Sequence, residues 1–229
     1  MKQALRIIAA LLILALIAWG IHGGLSLLRA RSIVRDGDTI AVADTGGALQ
    51  IDLVTGQSYA HVTYRLAPFA VVPVPQIAVW LEDSEGQFLR TLYVTPKVRT
   101  IQRPAALPVW EHRATDGADA VTCATPLSDS QITADAVDAD AVVLVEVNLS
   151  CDYNAYYRHG LDAEDPGYNT DYAGQPSLIY AGIISPGERI QLMPIGHGAP
   201  DGGDGEINPD LRHMTTAMDI LEDVTAEAQ

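Results

Sequence analysis

From Ile7 to Leu28 the chain reads "IIAALLILALIAWGIHGGLSLL", 22 residues without a charge and with only His22 and Ser26 as polar interruptions. A helix rising about 1.5 Å per residue needs about 20 apolar residues to cross a bilayer core of roughly 30 Å. This stretch therefore predicts an N-terminal anchor over residues 1–28. Ala18-Trp19-Gly20 also offers a small-x-small cleavage site behind a short apolar core, the alternative being a signal peptide. The apolar run continues past that site, which favours the uncleaved anchor. Arg29, Arg31 and Arg35 after the run outnumber Lys2 and Arg6 before it, and charge bias alone would keep that flank in the cytoplasm. A short signal-anchor leading a long polar body is the commoner arrangement, and it places the body outside the cytoplasm.

The body is acidic. All 29 acidic residues lie from Asp36 onward, against nine Lys and Arg over the same stretch. Such a surface repels phosphate backbones and excludes nucleic acid as an expected partner. The chain has two cysteines, Cys123 and Cys151. In an oxidising compartment a single pair is usually bridged, and closing the 28-residue loop would add about 3 kcal/mol. The alternative is two separate buried thiols.

Beyond the anchor the pattern is that of strands. Residues 29–58 read as a stalk and first hairpin, with "TIAVADTGGALQIDLVTGQSY" alternating around Asp44-Thr45-Gly46-Gly47. The remainder, 59–229, reads as one extracytoplasmic β-sandwich domain. "PQIAVWLED" and "QFLRTLYV" flank the turn Asp83-Ser84-Glu85-Gly86 and predict a hairpin. "AVVLVEVNLS" is an apolar run of strand length, and "PSLIYAGIIS" and "ERIQLMPIG" flank Ser185-Pro186-Gly187. Trp80, Trp110, Tyr64 and Tyr93 are expected to fill the sandwich interior. "LRHMTTAMDILEDVTAEA" spaces Leu211, Met214, Met218 and Leu221 by three and four and predicts a short C-terminal helix. Short strands with turn punctuation give a mainly β class, an antiparallel β-sandwich.

Three strings, "IAVWLEDSEGQFLRTLYV", "RPAALPVWEHR" and "DAVTCATP", resemble successive landmarks of an uncharacterised bacterial periplasmic domain family. Its members tend to be encoded near PepSY-type membrane reductases and FMN transferases. The resemblance covers roughly residues 60–127, and the C-terminal hundred residues only loosely. It implies an immunoglobulin-like sandwich anchored in the bacterial inner membrane with its main domain in the periplasm. It further implies an accessory or interaction role beside a membrane redox partner.

"DAVTCATP" also resembles the flavinylation signal of FMN-binding proteins: Asp, two residues, Ser or Thr, Gly, Ala, and an acceptor Thr. Asp119 matches the leading acid, Thr122 the Ser/Thr, Ala124 the Ala and Thr125 the acceptor, while Cys123 stands where the pattern has Gly. The resemblance implies FMN attached covalently to Thr125. A turn built on Pro126, with Asp119 and Thr122 bonding local backbone groups, is the other reading of the same residues.

Remaining candidates are weaker. Asp201, Asp204, Glu206, Asn208 and Asp210 space oxygen ligands as calcium loops do, but no bidentate Glu closes the loop, and a solvated acidic loop is expected. His112, His197 and His213 have no zinc-ligand spacing. Tyr153, Tyr156, Tyr157, Tyr168, Tyr172 and Tyr180 either pack as an irregular corner or stack on a partner or flavin. With no Gly-x-Ser-x-Gly elbow, phosphate loop or dinucleotide fingerprint, the sequence disfavours an independent hydrolase or dehydrogenase.

Overall fold

The computed structural model describes residues 2–30, 37–43, 49–59, 63–66, 69–71, 75–95, 105–116, 140–170 and 173–228. Helix α1 spans Lys2–Ala30. The strands that follow are β1 (Thr39–Ala43), β2 (Leu49–Thr55), β3 (Thr63–Leu66), β4 (Phe69–Val71), β5 (Gln76–Glu82) and β6 (Phe88–Val94). Helix α2 (Pro108–Asp116) precedes β7 (Val142–Asn148), β8 (Leu178–Ile183), β9 (Arg189–Gln191) and β10 (Met193–His197). A short 3-10 turn, Thr216–Asp219, leads into β11 (Leu221–Ala228).

Two antiparallel sheets form the body, four strands in the order β1-β2-β11-β9 and five in the order β10-β8-β7-β5-β6, while β3 and β4 pair as a separate hairpin. Their facing sides interdigitate in one core. Leu49, Ile51 and Leu53 of β2 and Val224 and Ala226 of β11 meet Ile77, Val79, Val143, Val145, Val147 and Leu178 of the larger sheet. The class is therefore mainly β, with two stacked antiparallel sheets. Both expected hairpins form: β1 pairs with β2 from Thr39 opposite Val54, and β5 with β6.

The two sheets differ on their outer faces. On the smaller one the outward residues are polar, and Arg189 pairs with Asp52 at 3.2 Å and Glu227 at 3.5 Å, as befits a sheet wetted on one side. On the larger sheet all seven residues of β5 are buried. Its outer side carries Ala78, Trp80, Leu144 and Ile179, which pack under Ala106, Leu107 and Val109 at the start of α2. Trp80 is fully buried here. This corrects the expectation that Trp80 fills the sandwich interior: alternation along β5 places it opposite Ile77, Val79 and Leu81, under the helix. Trp110 is on α2 itself and half-buried, and Tyr93 packs partly against the inter-sheet core. Tyr64 lies on β3.

Two local expectations yield to pairing at long range. The segment "ERIQLMPIG" is not one strand, because the chain changes sheets at buried Leu192, with β9 on β11 and β10 on β8. The expected C-terminal helix is strand β11 over Leu221–Ala228, preceded by turns in which Met214 and Ala217 are buried. The spacing of Leu211, Met214, Met218 and Leu221 mimics a helix, but Leu221, Val224, Ala226 and Ala228 are the buried residues of a strand flanked on both sides. Helix propensity is worth only a few tenths of a kcal/mol per residue. Without β11 the smaller sheet would be the β1–β2 hairpin alone, which is marginal in water.

Val224→Ala separates the two states. In a helix the change would raise propensity and stabilise slightly. In buried β11 it removes two methyl groups, and we expect a loss of about 1.5–3 kcal/mol in urea unfolding.

Candidate functional site

Asp119, Thr122, Cys123 and Thr125, the sequence-predicted flavin and disulfide positions, lie outside the described residues, as does Tyr172. Cys151 is described: it is half-buried in the turn after β7, with φ at 64°. In the acidic loop each carboxylate or amide oxygen is used locally. Asp201 accepts from the Gly203 amide, Asp204 from Glu206, and Asn208 from Asp210. The Arg212 guanidinium bonds Asp210 and holds its carboxyl well below the usual range. The histidines are scattered, with His112 against Gly205, His197 on β10, and His213 stacked on Tyr156 at 3.8 Å. Among the described residues no group of three His, Cys, Asp or Glu is placed to hold a metal ion. A shallow basin of about 340 Å³ is lined by Gly56, Gln57, Met218, Asp219, Leu221 and Glu222, away from α2.

The strongest chemical feature is one the sequence reading did not single out. Alternation along β7 aims Glu146 at the outer face of the larger sheet, where it is fully buried. Its Oε1 accepts from the Val109 amide at 3.2 Å and the Ser177 hydroxyl at 2.6 Å, and its Oε2 accepts from the Trp110 amide at 2.8 Å. Those amides are first-turn donors of α2, which have no partner within a helix. Pro108 opens the helix, where its missing N–H costs nothing. Glu146 is thus a cap supplied from a strand 36 residues away in sequence from Trp110.

A second carboxylate holds the other end. Glu82 of β5, also buried, accepts from the Trp80 indole at 2.8 Å and pairs with Arg113 of α2 at 2.9 Å. The Trp110 indole donates to Thr91 of β6. Gly198 closes the N-terminal side. A Cβ there would lie 2.6 Å from Ser177 Oγ and 2.8 Å from Pro108 Cγ, so only glycine lets the strand pass.

Burial pushes the Glu146 carboxyl up to about 7, against the lowering effect of its three hydrogen bonds, with Glu111 adding a smaller upward push. A single acid inside "VVLVEVN" was the available sequence signal, but its partners come from α2 and β8, which no local pattern joins. The arrangement can hold a proton near neutrality. It includes no nucleophile paired with a base among the described residues. Comparison with family models, curated proteins and solved structures finds no match for this chain.

The pH dependence follows from the direction of the shift. Below about 4.5 both folded and unfolded chains carry the proton; between 4.5 and 7 the unfolded chain gives it up first, so folding stability falls as pH rises and levels off above 7. Relative to Glu146→Gln, the unchanged protein should lose up to about 3 kcal/mol between pH 5 and 8 in urea unfolding. A difference that does not vary with pH would show that the carboxyl titrates normally.

Proposed function

We propose that this protein is a membrane-anchored extracytoplasmic domain with an accessory or interaction role beside a membrane redox component, rather than an independent enzyme. The observation that carries the reading is the surface of α1. Ile8, Leu11, Leu12, Ile13, Leu14, Leu16, Ile17, Ile21 and Leu25 are each more than half exposed, and Trp19 is 44 % exposed. These residues surround the helix rather than forming a stripe, which is the pattern of a helix solvated by lipid or buried in protein. No helix among the described residues meets the length and hydropathy needed for a span. The side chains described within α1 are Ile8 and residues 10–25, short of the about 20 that a full crossing takes. The anchor therefore rests on the whole sequence run Ile7–Leu28.

The accessory role is supported by the placement of the body's buried acids, which serve α2 rather than a reaction. A single-pass topology in a bacterial inner membrane, a periplasmic body and an immunoglobulin-like sandwich follow from the family resemblance. The second reading, an electron carrier with FMN esterified to the Thr125 hydroxyl, rests on the match of Asp119, Thr122 and Thr125 to the flavinylation pattern.

Expressed at full length in a bacterial host, the chain should stay in the membrane pellet after a carbonate wash and retain Met1 or Lys2 at its N-terminus. Release into the wash, or an N-terminus at Ile21, would replace the anchor with a cleaved signal. Purification in detergent should recover a membrane partner above background, and its absence counts against the accessory role. Co-expression with an FMN transferase discriminates the second reading, because an unshifted intact mass ends it.

A further inference from the structure

We propose that α2 is a proton-gated clasp: with Glu146 protonated the helix lies docked on the outer face of the larger sheet, and ionisation of Glu146 favours its release, baring Ala78, Trp80, Leu144 and Ile179. The inference is independent of the membrane reading.

The geometry that carries it is the placement of a fully buried carboxyl between the sheet and the first turn of a nine-residue helix. A helix of that length is unstable alone and owes its structure to what it docks on. Among the described residues no basic side chain pairs with Glu146. Arg113, on the same helix, is taken by Glu82. The remaining titratable neighbours are Glu111 and His112 on α2 and His197, which precedes Gly198 beside the carboxyl. Glu111 opposes ionisation. Two backbone amides and one hydroxyl offset part of the cost of a buried charge, and burial outweighs them. Lifting α2 returns Glu146 to water, where an ionised carboxylate is at no penalty. Docking therefore takes up a proton and release gives it back. By linkage the docked fraction must fall as pH rises toward 7 and hold steady above it.

The test is hydrogen exchange by mass spectrometry on the full chain in detergent micelles, at pH 5, 6, 7 and 8, with rates corrected for intrinsic pH dependence. Peptides covering residues 107–114 should lose protection roughly 50- to 100-fold from pH 5 to 8. Peptides from β7 should stay better protected throughout. Glu146→Gln should flatten the pH dependence. Ser177→Ala, which removes a donor favouring the ionised form, should move the midpoint to higher pH. Helix protection that is flat or rises with pH overturns the proposal. So does a helix that exchanges only in step with β7, since that would be global unfolding rather than release.

Discussion

The five-stranded sheet is apolar on both faces, and much of the rest of the structure answers to that fact. Its inner face is met by the smaller sheet. Its outer face, with Trp80, Leu144 and Ile179, needs a second cover, and α2 supplies it. A helix laid over a sheet brings first-turn amides into a place without water, and those amides need acceptors. Glu146 provides them from the sheet beneath. The buried acid is thus a consequence of covering the second face with a short helix, and Gly198 is a consequence of how closely strand and helix must then approach.

Two acids under one helix do different work because they meet different ends of it. Glu146 meets the N-terminal amides, where partial positive charge favours an anion. Glu82 meets Arg113 in the last turn, where a cation suits the helix dipole, and its pair is partly open to solvent. The first site is dry and lacks a full counter-charge, so burial decides how its proton is held. The smaller sheet has no such tension, since its outer carboxylates and Arg189 stay in water, where such pairs contribute little.

The chain also divides its apolar residues between two kinds of surroundings. In the sandwich they are removed from water by other strands. Along α1 they stay exposed on all sides, so the protein alone does not complete their burial. The acidic body and the uncovered helix are what make a tethered domain the reading that best unites the two parts.

By itself the sequence determined the elements whose partners lie close along the chain. The β1–β2 and β5–β6 hairpins, strand β7 and the mainly β class were legible because alternation and turn residues are local signals. Other features needed the assembled sheets: the side on which Trp80 is buried, the change of sheet at Leu192, the strand state of Leu221–Ala228 and the setting of Glu146. Each depends on a neighbour far away in sequence. β11 reads as a helix until β2 and β9 offer it hydrogen bonds on both sides, and Glu146 is an ordinary acid in an apolar run until α2 closes over it. Tertiary packing decided these because local propensity differs by tenths of a kcal/mol, while burial and backbone pairing differ by several.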